Sequence, residues 1–534
     1  MHFSQVLLLV VYYMALAVVA AVMGYRALLI VRYLRRKWVD ETPRSTFSSE
    51  PVVTIQLPIF NERFVVERLL EAVCAIDWPA DRLEVQLLDD STDDTKEIAA
   101  RKVAELVARG HDVKHVHRVD RTGYKAGALA AATPAARGEF LAVFDADFVP
   151  ERDFLRRTMD HFTDPGVGFV QTRWTYLNRD YGMLTQGMGM LLDGHFALEQ
   201  TTRSRGGYIF NFNGTGGVWR RAAIDAAGGW HDDTICEDTD LSYRASLAGF
   251  RGVYLRDVPC PGELPVQIAG LKSQQHRWAK GLTECFRKIM PSLWRSDLPL
   301  RKKLDATFHL GANLAFPATV FLTVLTLPVM MLRMQGHGSS GFASIVDSGV
   351  LLLVLVTQVL FYVVAVREIH PAWWRELRWL PIVPVVGVGL AINNTRGVIE
   401  ALLGHRSEFV RTPKLGVLGR DAASAKSRAR TYVGVREIAQ PLVEVGLGLY
   451  YIEMAFTQLQ RGMVVTAIVT FVLSIGLFTI GGATLRALLG ARRAARGQDA
   501  AAVEGPGPTG GATPPPDEAS GVLLPGAVPV GVDG

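Results

Sequence analysis

The chain has 534 residues, more than one ordinary hydrophobic core requires, so several structural parts are expected. A hydrophobic fraction of 49% and a mean hydropathy of +0.18 exclude a plain soluble enzyme and indicate a membrane component. The net charge of +5 is modest, and the basic residues lie near predicted membrane boundaries, where attraction to anionic lipid explains them better than nucleic-acid binding does.

The first predicted element is a membrane anchor over residues 1–37. Within it, residues 7–31 are apolar apart from Arg26, and they are long enough to cross a hydrocarbon core of about 30 Å. The basic residues follow this stretch rather than precede it, which favours a retained anchor over a signal peptide. By the positive-inside rule, the four basic residues within positions 32–37 place the following part of the chain in the cytoplasm.

Residues 50–300 carry charges throughout and have no stretch of membrane length, so they are predicted to form a cytosolic domain. Their hydrophobic periodicity alternates between that of a strand and that of a helix. Strands are predicted over residues 52–57, 83–88, 113–117 and 140–144, and helices over residues 62–75, 94–108 and 125–132. This alternation predicts a mostly parallel α/β sheet, in which ligands bind beyond the carboxyl ends of the strands.

A polar cluster accompanies each of the four strands, so the clusters are expected to meet in one cleft. They cover residues 58–62, 89–94, 123–127 and 145–147. Asp145 and Asp147 face the same way in an extended segment and can share a Mg²⁺ or Mn²⁺ ion that neutralises a diphosphate. Asp90 can accept from a base or ribose, and Lys125 can offset phosphate charge. Each cluster alone fits a cap or a turn; their joint placement favours a nucleotide-sugar site.

A further acidic cluster lies at the start of a helix predicted over residues 240–248. Within it, Asp238 is the predicted general base, which removes the proton of an acceptor hydroxyl. Attack opposite the departing diphosphate inverts the anomeric centre, and a metal with nearby cations replaces a separate acid. Trp278 offers a flat surface to the apolar face of a sugar, and Gln274 and Arg277 can bond hydroxyl or phosphate oxygens.

The region of residues 301–490 is predicted to be a bundle of transmembrane and interfacial helices. Its apolar segments cover residues 307–332, 344–366, 379–403, 438–457 and 463–489. Proline, asparagine and arginine interrupt the third segment, which we therefore expect to be re-entrant or interfacial. With the anchor this gives five full spans, with six as the alternative, and it keeps the basic loop 404–436 cytosolic. The tail over residues 491–534 is predicted to be disordered.

An ordered series of motifs resembles the inverting, processive family 2 glycosyltransferases, which include the cellulose and chitin synthases. The series is Asp89-Asp90, Asp145-x-Asp147, Glu237-Asp238 and Gln274-x-x-Arg277-Trp278. Finer motifs resemble the cellulose-synthase-like A group, the glucomannan 4-β-mannosyltransferases. They cover residues 87–93, 123–129, 144–148, 212–215 and 274–278. The resemblance extends from about residue 52 to the loop near Lys414.

The resemblance implies a GT-A fold, a mostly parallel mixed sheet that binds a nucleotide sugar, attached to an α-helical membrane channel. The implied site residues are Asp89, Asp90, Lys125, Asp145 and Glu237 at the nucleotide sugar, Asp145 and Asp147 at the metal, Asp238 as the base, and Gln274, Arg277 and Trp278 at the acceptor and leaving group. A gating loop with Phe409, Thr412 and Lys414 is implied to cover the nucleotide. Cys236 stands where the family usually has threonine, and we expect this departure to tune activity rather than abolish it.

The expected function is that of a multi-pass inner-membrane glycosyltransferase that extends a β-1,4-linked mannan, glucomannan or glucan and passes the polymer through its own channel. GDP-mannose is the first expected donor and UDP-glucose the second. The expected partners are the donor, a polysaccharide acceptor and membrane lipid, and not nucleic acid. Two alternatives stay open: a lipid glycosyltransferase that makes one transfer to ceramide or a polyprenyl phosphate, and an inactive membrane scaffold that binds polysaccharide.

Overall fold

The computed structural model describes residues 2–35, 41–336, 341–405, 412, 414–417 and 438–503. A seven-stranded sheet forms the centre of the domain that follows the first helix, with strand order β3-β2-β1-β4-β6-β5-β7. The strands are β1 Val53–Ile59, β2 Leu83–Asp89, β3 Val113–His117, β4 Phe140–Val143, β5 Val167–Tyr176, β6 Gly217–Arg220 and β7 Arg251–Gly262.

The first four strands confirm the predicted parallel α/β arrangement. β1 pairs in parallel with β2 and β4, and β2 pairs in parallel with β3. β6 runs antiparallel between β4 and β5, and β5 pairs in parallel with β7, so the whole sheet is mixed. β2 and β4 are buried along their whole length, and β1 along nearly all of it, as expected for parallel strands whose two faces are covered by helices.

The helices surround this sheet and continue beyond it into an apolar bundle. They are α1 Phe3–Leu34, α2 Val66–Cys74, α3 Thr95–Ala108, α4 Tyr124–Ala132, α5 Phe154–Thr158, α6 Met183–Asp193, α7 Thr201–Arg205, α8 Arg221–Ala226, α9 Glu237–Leu247, α10 Ile268–Arg295, α11 Leu300–Gly311, α12 Ala315–Met334, α13 Gly341–Ile369, α14 Trp373–Glu376, α15 Ile382–Gly389, α16 Ala391–Leu402, α17 Ala439–Gln460 and α18 Val464–Val503. A π-helical segment, Gly194–Gln200, joins α6 to α7.

Within the described residues, four helical segments are long and apolar enough to cross a membrane. They are Phe3–Leu34, Leu300–Arg333, Gly341–Ile369 and Thr466–Gly490. The pair α15 and α16 meets the same criterion only together and bends by 43° at its break, as a broken span or a re-entrant loop does. The bend between α15 and α16 matches the predicted interruption of residues 379–403, and the four apolar segments support a membrane-embedded protein.

Two details of the membrane region differ from the sequence prediction. Helix α17, expected to be a full span, is 22 residues long but is not among the four apolar segments, because Glu444 and Glu453 lie within it. Helix α18 continues to Val503, so residues 491–503 are helical where a disordered tail was predicted. Residues 504–534 and most of the basic loop lie outside the described residues.

Helix α10 connects the sheet domain to the helices of the membrane region. Its Lys272 is buried, and the ammonium group donates to both carboxylate oxygens of Glu444 on α17, at 2.7 and 3.0 Å. The Asn393 amide on α16 donates to the Lys272 carbonyl at 2.9 Å, and the Gln440 amide donates to Glu444 at 2.9 Å. These bonds satisfy the charge of Glu444 inside the protein and fix α10 to two other helices.

Replacement of one member of this buried pair should destabilise the protein. We expect Lys272→Met to lower the free energy of unfolding by about 3–5 kcal/mol, because it leaves the Glu444 carboxylate buried without its counter-charge. The double variant with Glu444→Met should recover most of the loss. Thermal denaturation in detergent measures both, with the exposed Lys96→Met as the matched control. Unchanged stability of Lys272→Met would contradict the assignment.

Candidate active site

A cleft with a volume of about 230 Å³ lies beyond the carboxyl ends of β1, β2 and β4. It receives side chains from these strand ends, from the starts of α4 and α9, from α10 and from the segment around residue 412. Its lining includes the predicted residues Asp90, Lys125, Asp145, Asp147, Glu237, Asp238, Gln274, Arg277, Trp278, Thr412 and Lys414. Each of the four strand-end clusters contributes to the cleft, and residues separated by more than 300 positions meet there.

The two adjacent aspartates at the end of β2 point in different directions. Asp90 lines the cleft, and its carboxylate accepts two bonds from the Arg118 guanidinium, at 2.8 and 2.6 Å. Asp89 is fully buried, contacts His115 Nε2 at 2.8 Å and accepts from the Ser91 amide at 2.8 Å. Because successive side chains of a strand alternate between its faces, only Asp90 reaches the cleft. The structure thus places Asp89, a predicted nucleotide-sugar ligand, outside the cleft lining.

Lys125, at the start of α4, lies at the centre of a group of acids. Its ammonium group donates to Asp145 at 2.6 Å and to the Gly214 carbonyl at 2.9 Å, and lies 3.7 Å from the Glu237 carboxylate. Burial alone would lower the pKa of Lys125, but the neighbouring carboxylates outweigh it and raise that pKa. A positive charge therefore stays fixed beside Asp145, where the charge of a phosphate can be balanced.

Asp147 is held in place by groups from two distant parts of the chain. It is buried, and its Oδ2 accepts from the Glu263 amide at 2.9 Å and from the Lys414 ammonium group at 2.8 Å. Glu263 in turn accepts from Arg68 at 2.6 Å. Strand β4 ends at Val143, so Asp145 and Asp147 lie in the turn that follows it rather than in an extended strand, and both still face the cleft.

Asp238 lies in the first turn of α9, where the helix dipole favours negative charge. The helix begins three residues earlier than predicted, so Glu237 lies in the same turn. Burial, followed by the nearby Glu237 carboxylate, raises the pKa of Asp238 to about 7, while Lys125 and the bond from the Thr239 amide act in the opposite direction. A carboxylate with such a pKa is suited to take and release a proton near neutral pH.

The kcat/KM of the enzyme should therefore rise with pH up to a plateau. A general base acts in its ionised form, so kcat/KM should fall about tenfold per unit as the pH drops below about 7 and level off above it. Glu237→Gln should shift this midpoint to lower pH, because the Glu237 charge raises the pKa of Asp238. Initial rates measured from about pH 5 to about pH 9 test both statements. A flat profile through this range would contradict the role of Asp238.

The acceptor residues lie on one face of α10, since Gln274, Arg277 and Trp278 follow the three- and four-residue spacing of a helix. The Arg277 guanidinium donates to the Thr412 hydroxyl at 3.1 Å, and burial lowers the pKa of Arg277 to about 10. Thr412 and Lys414, predicted in a gating loop, thus contact the cleft. Phe409, from the same prediction, lies outside the described residues.

Several residues that line the cleft, or that bond to its lining, were not predicted from the sequence. Arg118 directly follows β3, so the strand-end rule could have identified it as a partner of Asp90. Glu263 and its partner Arg68 carried no comparable signal, because β7 lies at the far edge of the mixed sheet. Trp174, from β5, also lines the cleft, and its indole donates to the Thr215 carbonyl at 3.2 Å.

A separate group outside the cleft lining, His231, Asp233 and Asp240, has donor atoms close enough together to hold a metal ion. The Lys288 ammonium group already lies 2.6 Å from Asp233 and 3.0 Å from Asp240, and Asp240 also pairs with Arg244 at 2.7 Å. The charges of this group are therefore balanced by basic side chains, which indicates a structural ion-pair cluster.

An α/β sheet with acids beyond its strand ends, joined to helices that can cross a membrane, is the arrangement that the sequence motifs predicted for a membrane-embedded glycosyltransferase. Residues 51–281 match the family described as glycosyltransferase like family 2. Glucomannan 4-beta-mannosyltransferase 1 of Oryza sativa subsp. japonica is 36% identical over 397 residues, covering 73% of this chain and 74% of that protein. Glucomannan 4-beta-mannosyltransferase 2 of Arabidopsis thaliana is 36% identical over 382 residues, covering 69% and 68%. The chain belongs to this family, the cellulose-synthase-like A hexosyltransferases of glycosyltransferase family 2.

The fold also resembles that of a solved enzyme, the mannosyltransferase PcManGT from Pyrobaculum calidifontis, whose structure is a complex with GDP-Man and Mn²⁺. The TM-score is 0.50 at 22% sequence identity, and the likeness covers 74% of this chain and 100% of that one. This similarity confirms the predicted GT-A fold.

Proposed function

We propose that this protein is an inverting glycosyltransferase that extends a β-1,4-linked mannan or glucomannan from a nucleotide sugar. The observation that carries the proposal is that Asp147, Asp238 and Trp278 line one cleft. A phosphate-side acid, a base and a sugar platform are the groups that such a transfer needs. The relatives that cover most of the chain are named as 4-beta-mannosyltransferases, which supports the β-1,4 linkage.

GDP-mannose is the first proposed donor and UDP-glucose the second. The mannosyltransferase names of the relatives support mannose, and the PcManGT complex contains GDP-Man. At the nucleotide end, the Asp90 carboxylate held by Arg118 is placed to accept from a base or a ribose hydroxyl. The Lys125 ammonium group lies further along the cleft, where it can balance the phosphates.

Asp145 and Asp147 fit a divalent cation, either Mg²⁺ or Mn²⁺. Both carboxylates already face a cation within the protein, since Asp145 contacts Lys125 and Asp147 contacts Lys414. Oxygen donors of this kind are the preferred ligands of both ions. The ion would neutralise the diphosphate of the donor as it leaves. The PcManGT complex with Mn²⁺ supports a metal of this type.

The protein's own residues account for the remaining chemistry. Asp238 takes the proton of the acceptor hydroxyl, whose oxygen attacks the anomeric carbon on the side opposite the diphosphate. The bond to the diphosphate breaks, and the positive charges of Lys125 and Arg277 stabilise the negative charge that develops on it. Trp278 holds the acceptor sugar by its apolar face. A single displacement of this kind yields the inverted, β-configured linkage.

The catalytic domain is proposed to face the cytosol at the inner membrane, with the polymer passing outward between the membrane helices. Leu192 of α6 lines the cleft, and Gly187 of the same helix packs against Ile382 of α15 with no room for a side chain. One wall of the cleft is therefore continuous with the bent helix pair of the membrane region. The basic residues after α1 favour the cytosolic side for this wall.

Purified full-length protein tests the proposal when it is incubated with a panel of nucleotide sugars and Mg²⁺ or Mn²⁺. We expect long polymer from GDP-mannose that a β-mannanase degrades, with 4-linked mannose on linkage analysis. Cellulase-sensitive polymer from UDP-glucose would instead select the second donor. A single sugar attached to lipid would replace the polymerase by a lipid glycosyltransferase. If wild type and Asp238→Asn released nucleotide at the same background rate from every donor, the protein would be an inactive scaffold.

A further inference from the structure

The π-helical segment Gly194–Gln200 brings two side chains to the same side of the chain. In an ordinary α-helix, residues five apart are separated by about 140° around the axis. Where the backbone bonds run from i to i+5, residues five apart lie nearly above one another, and such segments often occur at functional sites. His195 and Gln200 consequently reach the same group, the side chain of Asn213.

The hydrogen bonds around Asn213 have a fixed direction. The Gln200 amide nitrogen donates to the Asn211 carbonyl at 3.0 Å and to Asn213 Oδ1 at 2.6 Å. Asn213 Nδ2 must then face His195 Nε2, at 2.9 Å, and donate to it. His195 Nε2 is therefore the acceptor, so the ring proton sits on Nδ1 and is donated to Glu199 at 3.1 Å.

Glu199 is connected to a charge inside the first membrane span. Arg26 of α1 lies 3.5 Å from the Glu199 carboxylate, and Arg203 lies 3.7 Å from it. Arg26 also donates to the Gln358 side chain on α13 at 3.1 Å. The bond from His195 and the charges of both arginines hold the pKa of Glu199 below its usual range despite burial. The Arg26 charge in the apolar first span is therefore paired with Glu199, as charges within membrane spans usually are paired.

The other end of this chain of contacts reaches the cleft. Asn213 and Gly214 both line it, and the Gly214 carbonyl accepts from Lys125 at 2.9 Å. Gly214 has a φ of +81°, and a β-carbon there would lie 3.1 Å from the Asp238 carboxylate. A small movement of Asn213 therefore moves the backbone that separates Lys125 from Asp238.

We propose that His195 and Gln200 are positioning residues, which fix the Asn213–Gly214 backbone between Lys125 and Asp238. In the same proposal, Arg26 of the first span balances the charge of Glu199. The tautomer of His195 depends on that charge. The inference rests on the proposed function of the same cleft. The series of contacts runs from helix α1 through Glu199, His195 and Asn213, in that order, to the base Asp238. The base and ribose end of the cleft, at Asp90, does not belong to this chain of contacts.

The test uses full-length protein in detergent. His195→Leu removes the acceptor for Asn213, and we expect kcat to fall by about 10–100-fold, because small displacements of reacting groups have effects of this size. The dissociation constant of GDP, measured by calorimetry, should change by less than about twofold, because the nucleotide end is untouched. His195→Gln, whose amide oxygen can accept from Asn213, should restore most of the rate.

His370→Leu is the matched control. His370 also bonds a carboxylate, Asp193, at 2.9 Å, and its side chain is 25% exposed against 24% for His195, but it does not contact Asn213. We expect His370→Leu to keep kcat within about twofold of wild type. Loss of both the rate and the GDP affinity in His195→Leu and in His370→Leu would overturn the inference. A wild-type rate in His195→Leu would also overturn it. If His195→Leu does not fold, Gln200→Leu takes its place with the same expected result.

A second readout is independent of activity. Nitrogen-15 NMR of histidine-labelled protein should show the His195 proton on Nδ1, the His195 signals being those that are missing from the spectrum of His195→Gln. A proton on Nε2 would overturn the inference. A wild type that transfers no sugar from any donor would reject the proposed function, and this spectrum would still decide the tautomer and the direction of the hydrogen bonds.

Discussion

Asp238→Asn should reduce kcat by about 10²–10⁴-fold, the usual contribution of a positioned general base. The amide cannot take the acceptor proton, while its size and its bond from the Thr239 amide are retained. Because burial and Glu237 already disfavour the charge at this position, loss of the charge should not destabilise the protein. Initial rates of GDP release with GDP-mannose and an oligosaccharide acceptor measure the effect.

Asp233→Asn is the matched control for this variant. Asp233 precedes α9, is about half exposed and pairs with Lys288 outside the cleft lining, so its amide form should transfer sugar at a rate within about twofold of wild type. GDP should bind to Asp238→Asn as tightly as to wild type. Retention of more than about a tenth of the wild-type kcat would remove Asp238 from the role of base.

Asp147→Asn should lower kcat by at least about 10²-fold, because stabilisation of the leaving diphosphate depends on the group that this carboxylate would hold. Removal of divalent cations with a chelator should have the same effect on the wild type, and Mn²⁺ or Mg²⁺ should restore it. Calorimetry of Mn²⁺ binding in the presence of GDP should show a weaker site in Asp147→Asn. The amide keeps its acceptor oxygen for Lys414 and Glu263, so the surroundings should change little.

Asp153→Asn provides the comparison for Asp147. This residue lies six positions further on, is about half exposed and is not part of the cleft lining, so we expect an unchanged rate. Activity of the chelated wild type at the level of the Mn²⁺-supplemented enzyme would contradict a metal at Asp145 and Asp147. The same rate in Asp147→Asn and Asp153→Asn would remove Asp147 from the site.

The part of the site that depends on local sequence was predicted well. The first four strands have bounds within about two residues of those expected from periodicity, and their order along the chain is enough to bring Asp90, Lys125, Asp145 and Asp147 together. Asp89 shows the limit of this argument. The alternation of side chains along a strand predicts that two adjacent residues face opposite ways. Which of the two faces the cleft depends on the helices that cover the sheet.

Contacts between distant parts of the chain could not be derived from residue patterns. Lys414 reaches Asp147 across 267 positions, and only the family resemblance pointed to it. Glu444 lies in an apolar segment that was predicted to be a full span, and its partner Lys272 is 172 positions away. Periodicity describes one element at a time, so it gives no signal for charges that are paired between elements.

The lysines beside Asp145 and Asp147 mean that the cleft contains its own counterions. An enzyme stripped of metal and sugar nucleotide is not left with bare, mutually repelling acids, because tethered ammonium groups already neutralise them. Chelated protein should consequently stay folded at the temperature of the assay, although it is inactive. Purification and storage can therefore proceed without added cations, which are needed only when the assay begins.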